Sequence, residues 1–107
     1  MTEAVKQGAE ETPVIFRFHK GEVIAVFPCA PADNAGSQMT CYAHTGQRSA
    51  CDLGWYHETR PARPKEYASL KTELESAPYG YRLRVYKRIA RSLRERFDTE
   101  VRRLRSQ

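Results

Sequence analysis

The clearest pattern along the chain is the alternation of side chains over residues 13–27, PVIFRFHKGEVIAVF. In its first arm, two sets of side chains point in opposite directions: Val14, Phe16 and Phe18 against Ile15, Arg17 and His19. Lys20-Gly21 is a two-residue turn whose glycine accepts a positive φ. The return arm, Glu22 to Phe27, is apolar on both faces. The pattern therefore predicts a β-hairpin whose second strand is the more buried.

The segment between residues 28 and 60 is less regular. A loop rich in Pro, Asp, Asn and Gly precedes an alternating stretch from Met39 to Thr45, which predicts a third strand. Gly46 to Gly54 is predicted to be a loop. Trp55 to Arg60 fits either a short strand or an irregular packed segment.

Two later segments have the period of amphipathic helices. The first starts at Pro64, ends near Pro78 and Gly80, and has apolar positions at helical spacing: Tyr67, Leu70, Leu74 and Ala77. The second is the final segment, IARSLRERFDTEVRRLR. Its apolar residues fall in a stripe roughly 120° wide at ~100° per residue: Ile89, Leu93, Phe97, Val101 and Leu104.

Between these helices, residues 81–88 alternate as a strand does. The inward side chains are Tyr81, Leu83 and Val85, and the outward ones are Arg82, Arg84, Tyr86 and Arg88. The element order is therefore β-β-β-α-β-α. It predicts a two-layer α+β fold, with an antiparallel sheet of about four strands and two helices packed on one face. We expect residues 1–12 to form a disordered N-terminal tail and residues 13–107 to form a single domain.

Composition narrows the cellular setting. No apolar run approaches the ~18 residues that a membrane helix needs. The start, MTEAVKQGAEET, has no apolar core of a signal peptide. The three cysteines are an odd number and do not fit a closed disulfide framework. These features predict a cytoplasmic protein, and nothing in the sequence predicts a cofactor.

The net charge of +5 is concentrated at one end of the chain. Residues 1–81 hold 8 Lys/Arg and 10 Asp/Glu, which is net −2. Residues 82–107 hold 10 Lys/Arg and 3 Asp/Glu, which is net +7. All the excess positive charge therefore lies in the last quarter, which favours an anionic partner there.

Residues 41–61, CYAHTGQRSACDLGWYHETRP, contain many side chains that can bind a metal or take part in catalysis. One hypothesis is a metal site with four candidate ligands: Cys41, His44, Cys51 and His57. Their spacing matches no standard zinc pattern, and on a strand Cys41 and His44 would point to opposite faces. A second hypothesis is cysteine catalysis, with a histidine as base and Asp52 or Glu58 to orient it.

A third hypothesis treats the same stretch as a packed loop anchored by Trp55 and Tyr56. Free cysteines are usually small buried residues, which fits this interpretation. A fourth is a loop that contacts a partner, because Trp, Tyr and Arg dominate binding surfaces.

The chain also resembles a family of small bacterial proteins associated with mobile elements. The resemblance rests on TCYAHTGQ, WYHETRPARPKEYASLKTELE and YRLRVYKRI, and would extend from residue 13 to about residue 90. It implies a shared fold and carries no assigned activity or catalytic residues.

The basic end gives the main functional hypothesis. Arginine outnumbers lysine nine to one in residues 82–107, and arginine makes forked contacts to phosphate and stacks on bases. Tyr86 among arginines on a sheet face is typical of single-strand binding platforms. The candidate contact residues are Arg82, Arg84, Tyr86, Arg88, Arg91, Arg94, Arg102, Trp55 and Tyr56. Six neutralised phosphates on a duplex would give a salt slope of about −5.

A structural explanation of the arginines competes with this hypothesis. Cations in the last helical turn stabilise the helix dipole, and pairs such as Arg91–Glu95, Arg94–Asp98 and Asp98–Arg102 support a solvated helix. The segment contains no helix-turn-helix spacing, RNP motif or GXXG loop. A membrane surface is disfavoured because the core needs the apolar stripe.

The sequence therefore predicts a non-enzymatic accessory protein that contacts nucleic acid or a nucleoprotein complex through its arginine-rich end. The alternative is an inhibitor or adaptor of mobile-element origin that docks on an acidic protein, or on a second copy of the chain, through Trp55-Tyr56 and the basic helix. The remaining class is a small metal or thiol protein built on Cys41, His44, Cys51 and His57.

Overall fold

The computed structural model describes residues 11–43, 47–76 and 79–106. Six strands and three helices follow one another in these ranges: β1 (Thr12–His19), β2 (Glu22–Pro31), β3 (Met39–Ala43), β4 (Gln47–Cys51), α1 (Leu53–Glu58), β5 (Arg60–Pro61), α2 (Pro64–Glu75), β6 (Leu83–Val85) and α3 (Arg91–Arg105). The predicted α+β class is confirmed.

The sheet is built on the predicted hairpin. β1 and β2 pair antiparallel, with Phe18 opposite Val23 and His19 opposite Glu22. Lys20 and Gly21 have φ of 51° and 82°. Positive φ at both turn residues matches the right-handed twist of the flanking strands, and it is the geometry that two-residue hairpins favour. The hairpin and its turn are therefore confirmed.

The remaining strands extend the hairpin at both edges. β3 pairs with β2, and β4 pairs with β3, both antiparallel. On the other side, two short strands share the outer edge of β1. β6 runs parallel to Thr12–Val14, and β5 runs antiparallel to Arg17 and Phe18. The stretch of β1 between them faces an opening at the edge of the sheet.

Both faces of the sheet carry a buried apolar cluster. The α3-side core consists of Ile15, Val26, Met39, Cys41, Cys51, Tyr56, Phe97 and Val101. The α2-side core consists of Val14, Phe16, Ala25, Phe27, Tyr42, Leu70 and Leu74. Successive residues of a strand point to opposite faces. The clusters therefore place α2 and α3 on opposite faces of the sheet.

This arrangement corrects the expectation that both helices share one face. The physical reason lies in β1 and β2, which are apolar at consecutive positions. Ile15 and Val26 are 1% and 0% exposed on one face, while Val14 and Ala25 are both 0% exposed on the other. Two apolar faces each need a cover, and the chain supplies one long helix for each, with the short α1 adding Tyr56 on the α3 side.

The apolar stripes predicted for the two long helices are largely confirmed, but Ile89 lies before α3, which begins at Arg91, and packs against the α3-side core from there. Leu70 and Leu74 of α2 are buried, as are Leu93, Phe97 and Val101 of α3. Ala77, also assigned to the first stripe, lies outside the described residues. On β6, Leu83 and Val85 pack against the α2-side core as predicted, and so does Tyr81 just before the strand.

Three local predictions are wrong. The stretch assigned to a loop contains β4, whose backbone pairs with β3 along its whole length. The segment around Trp55 is helix α1, which starts where the Asp52 side chain accepts a hydrogen bond from the Trp55 amide at 2.8 Å. The strand predicted over residues 81–88 is limited to Leu83–Val85, because only three residues of β1 pair with it.

The predicted N-terminal tail overlaps the first strand. Thr12 belongs to β1, and its amide donates to the Arg82 carbonyl at 2.6 Å. Residues 1–10 lie outside the described ranges. No helix within the described ranges is both long and apolar enough to cross a bilayer.

The loop before β3 packs tightly against α3 at Gly36, which gives a stability prediction. Gly36 has φ of +80°, and a Cβ there would lie 3.3 Å from a Val101 methyl carbon. We expect Gly36→Ala to lower the free energy of unfolding by about 1–2 kcal/mol for the left-handed backbone, plus the cost of displacing Val101. Urea unfolding measures the change.

A matched control separates those two costs. Gly21 has nearly the same φ, +82°, but no atom of the described residues lies within 4 Å of its added Cβ. Gly21→Ala therefore reports the backbone strain alone. Equal losses for the two variants would show that α3 does not pack against Gly36.

Candidate nucleic-acid interface

The helix on one face of the sheet is strongly basic, and the helix on the other is not. α3 has the sequence RSLRERFDTEVRRLR, with six arginines and three acidic residues. α2 has the sequence PKEYASLKTELE, with two lysines and three glutamates. The positive charge of the C-terminal quarter is thus displayed largely on the α3 face.

The arginines of α3 divide between two flanks of the helix. The buried stripe of Leu93, Phe97 and Val101 faces the sheet. At ~100° per residue, one flank within roughly 80° of arc carries four arginines and one acid: Arg91, Arg94, Arg102, Arg105 and Asp98. We call this the arginine flank. Arg96, Arg103 and Glu100 lie on the other side of the stripe.

Most of the arginine flank has no internal partner that neutralises its charge. Within the described chain, the salt bridges involve other residues, and Arg91, Arg94 and Arg102 form none. The Arg94 guanidinium lies 4.8 Å from the centre of the Phe97 ring, and Arg102 donates to Thr99 Oγ1 at 3.3 Å. Arg105 differs from these three because it donates to the backbone carbonyls of Asn34 and Ala35, at 2.8 and 2.9 Å, and so connects α3 to the loop before β3.

The predicted supporting ion pairs of the final helix are not formed. None of Arg91–Glu95, Arg94–Asp98 and Asp98–Arg102 makes a salt bridge. The ion pair that α3 does form among the described residues joins Arg103 to Glu100 at 2.8 Å, on the other flank. Ion pairing therefore does not account for the arginine flank.

The first turn of α3 opposes the helix dipole. It contains no acidic residue, and its N-cap is Ala90, which has no side chain able to accept a hydrogen bond. Arg91 stands there as the first helical residue. A cation at this end of a helix is unfavourable, whereas Arg102, Arg103 and Arg105 in the last turn are favourable. Helix stability thus explains the last-turn arginines but not Arg91.

Arg88 lies beside the start of α3 and close to Arg94. The two arginines line one cavity of about 410 Å³, together with Leu53, Tyr56, His57 and Ile89. Leu53 is 39% exposed, so an apolar side chain adjoins the basic groups. Arg88, Arg91, Arg94 and Arg102 together make one basic surface along α3.

Arg84 and Tyr86 lie elsewhere, on the other flank of α3. They line a polar cavity of about 510 Å³ with Arg96 and two glutamates, Glu11 and Glu100. The Arg84 guanidinium lies 5.5 Å from the centre of the Tyr86 ring and 3.7 Å from a Glu11 oxygen. Arg82, also predicted as a contact residue, is exposed at the start of this segment. The structure therefore splits the predicted interface, and carboxylates neutralise the Arg84 part.

Of the two aromatic anchors predicted for α1, only Trp55 is partly accessible. Tyr56 is 5% exposed and belongs to the α3-side core, so it is a packing residue and not a surface contact. The buried Arg17 guanidinium lies 4.4 Å from the centre of the Tyr56 ring. Trp55 is half-buried and meets the edge of His19, with ring centres 5.7 Å apart. The hypothesis that this segment packs against the sheet therefore describes it best, although the packed segment is a strand followed by a helix and not a loop.

The cysteine and histidine residues do not assemble a metal site in the described part of the chain. Nowhere in it do three His, Cys, Asp or Glu side chains come together. Cys41 and Cys51 are each 4% exposed in the α3-side core, while His57 is exposed on α1. His44, the fourth predicted ligand, lies outside the described residues.

Cys41 and Cys51 nevertheless influence each other. Cys41 pairs with Ser49 across β3 and β4, and Cys51 pairs with Met39, so the thiols are diagonal neighbours on one face. Hydrogen bonding from Cys51 lowers the pKa of Cys41 to about 6, and burial opposes this shift. The same contact raises the pKa of Cys51. Both thiols are buried and shielded from reagents in solution, so the pair is a packing contact within the core.

Sequence reasoning missed the roles of three neighbours of these sites. Arg96 was grouped with the arginines of the final helix but not chosen as a contact residue, yet it joins Arg84 and Tyr86 in their cavity. Its angular position on α3 is the signal that could have located it there. His57 was considered only as a ligand or base, yet it lies beside Arg88. Arg17 is buried and donates to the Thr59 hydroxyl and carbonyl, each at 2.6 Å. Its place inside a strand gave no signal of that role.

Comparison with known proteins adds no further constraint. No family model, curated protein or solved structure matches the chain. The resemblance to a family of small bacterial proteins stays a prediction.

Proposed function

We propose that this protein binds nucleic acid, alone or within a nucleoprotein complex, through Arg88 and the arginine flank of α3. The observation that carries the proposal is Arg91, a cation that makes no salt bridge with any described residue and is exposed at the helix end where its charge is unfavourable. A cation that destabilises its own helix is understandable if it binds an anion on another molecule, because that contact offsets the unfavourable position. Arg88, Arg94 and Arg102 extend the same surface.

The dimensions of the surface fit a phosphate backbone. Arg91 and Arg102 are eleven residues apart, which is ~17 Å along the helix axis. That length corresponds to about five base-pair steps of a duplex at ~3.4 Å per step. Arginine, with its planar fork, suits such repeated contacts to phosphate oxygens.

The second candidate is docking on an acidic protein. The observation that favours it is Leu53, an exposed apolar side chain that shares a cavity with Arg88 and Arg94. Protein interfaces combine apolar centres with charged rims. An adaptor or inhibitor role, and an origin in a mobile element, belong to this alternative.

A matched pair of substitutions within α3 tests the nucleic-acid proposal. Arg91 lacks a salt bridge on the arginine flank, whereas Arg103 is paired with Glu100 on the other flank. We expect Arg91→Gln to weaken binding of a labelled duplex about eightfold near 0.1 M salt, because one phosphate contact is lost. Arg103→Gln should leave affinity within about twofold. Fluorescence anisotropy measures both.

Thermal unfolding of the same two variants makes the test specific. Removing a cation from the first turn should leave stability unchanged or raise it by about 0.3–1 kcal/mol. Reduced binding with undiminished stability is the expected signature of Arg91→Gln. Equal affinities for Arg91→Gln and Arg103→Gln would rule out the arginine flank as the contact surface.

A further inference from the structure

A second cleft lies at the edge of the sheet and is separate from the arginine flank. It has a volume of about 570 Å³ and opens where β5 and β6 leave part of β1 uncovered. Its walls come from Phe16 of β1, from residues 60–64 and Tyr67 around the start of α2, and from residues 85–87 at the end of β6. The volume lies within the range of small-molecule sites, which is roughly 300–1,000 Å³.

The walls of the cleft are mostly apolar and include flat side chains. Phe16 and Tyr67 stack with ring centres 4.3 Å apart and planes 9° apart. Phe16 is buried, so Tyr67 is the more accessible ring of the pair. The remaining aliphatic lining residues are Pro61, Ala62, Pro64 and Val85. A flat ring is the shape that best extends such a stack.

The rim of the cleft is cationic. Arg60, Arg63 and Lys87 line it, and the described residues add no acidic side chain to the lining. Arg60 is already engaged, because its guanidinium forms two bonds to Glu66, at 3.0 and 2.7 Å, and lies over the Phe18 ring at 4.1 Å. Arg63 and Lys87 form no salt bridge within the described chain. Two cations therefore remain to receive an anion.

We propose that this cleft binds a flat heteroaromatic ring that carries a phosphate group, the chemistry of a nucleoside monophosphate. The ring lies against Tyr67, and the phosphate is held by Arg63 and Lys87. The same chemistry is found in a free nucleotide and at the end of a nucleic-acid strand. The site stands apart from the proposed arginine flank, because the cleft is built on the α2-side core and the flank belongs to the other face.

Amide NMR titration with adenosine 5′-monophosphate tests the proposal. We expect saturable shifts at Tyr67, Val85 and Lys87, with weaker binding of adenosine alone and of inorganic phosphate alone. Lys87→Gln and Arg63→Gln change exposed residues, and each should weaken the nucleotide about tenfold. Lys71→Gln is the matched control, because Lys71 lies farther along α2 and pairs with Glu75 at 2.9 Å.

Two further comparisons identify the source of the ligand and separate the cleft proposal from the arginine-flank proposal. The first comparison adds a single-stranded oligonucleotide with a 5′-phosphate as a competitor. If it displaces the nucleotide, and Lys87→Gln weakens its binding to the same extent, the ligand of the cleft is a strand end. If the oligonucleotide does not displace the nucleotide, the ligand is a free nucleotide. Replacing Arg88, Arg91, Arg94 and Arg102 should leave nucleotide binding intact, so this proposal and the flank proposal fail independently. No shift at millimolar nucleotide, or shifts confined to α3, would overturn the cleft proposal.

Discussion

Phe97→Ala is expected to lower the free energy of unfolding by about 3–5 kcal/mol, the range for deleting a buried aromatic side chain. Phe97 is 1% exposed and lies at the centre of the contact between α3 and the sheet. A domain of this size is commonly stable by only ~5–15 kcal/mol. The loss would therefore be a large fraction of the stability that such a domain has. Urea unfolding followed by circular dichroism measures it.

Milder substitutions test whether α2 and α3 cover different faces. Phe97→Leu keeps most of the volume and should cost less than about 1.5 kcal/mol, and Leu70→Val in α2 should cost about 1 kcal/mol. Phe97 and Leu70 belong to separate cores. The double variant should therefore lose the sum of the two costs within ~0.5 kcal/mol. A coupling above about 1 kcal/mol would indicate that the two helices share one core.

Replacing Arg88, Arg91, Arg94 and Arg102 together by Gln is expected to weaken duplex binding about 10³- to 10⁴-fold near 0.1 M salt. Each phosphate contact contributes ~0.9 to the slope of log affinity against log salt. Four contacts therefore change the affinity by a factor of about 10^3.6 for each tenfold change in salt concentration. Glutamine keeps much of the stem length and the helix propensity of arginine while removing the charge. The measurement is an anisotropy titration of a labelled duplex.

The control for this variant keeps the net charge change equal. Substituting Arg96, Arg103, Lys65 and Lys71 by Gln removes four cations from outside the basic surface. General attraction to a basic protein would weaken binding equally in both quadruple variants. A specific interface requires the first variant to lose far more affinity than the second, with both retaining the helical circular dichroism of the parent.

Local patterns predicted those parts of the fold that depend on a few neighbouring residues. Lys20-Gly21 between two apolar arms specifies a tight hairpin, and the repeat of Leu93, Phe97 and Val101 specifies the buried side of α3. The placement of the helices on opposite faces was also encoded, because Val14 and Ile15 are consecutive and both apolar. The consecutive apolar residues led us to predict a buried hairpin, but not a sheet in which both faces are covered.

Elements held by backbone pairing gave weaker signals. Arg48, Ser49 and Ala50 of β4 are exposed in succession, so these side chains do not alternate, and the strand is identified by its pairing with β3. α1 has only six residues, too few for a helical period to be visible. Asp52 before it was the available signal, as an N-cap residue.

The candidate site likewise divides into parts that local sequence patterns predict and parts that depend on tertiary contacts. The concentration of arginine in the last quarter pointed to α3, and helical geometry separates its two flanks. The splitting of Arg84 from Arg88 was not predictable, because it depends on β6 ending at Val85 and on Glu11 reaching Arg84 at 3.7 Å. The cleft at the edge of β1 was also hidden, since residues 16, 67 and 86 meet there only after the sheet has formed.

The most direct test of the arginine flank is the affinity of the wild-type protein for a duplex, measured over a series of salt concentrations. Four phosphate contacts predict that log affinity falls against log salt with a slope of about −3.6, and that the Arg88, Arg91, Arg94 and Arg102 variant has a slope near zero. An affinity that does not change with salt, or a slope that the four substitutions leave unchanged, would contradict the proposed function.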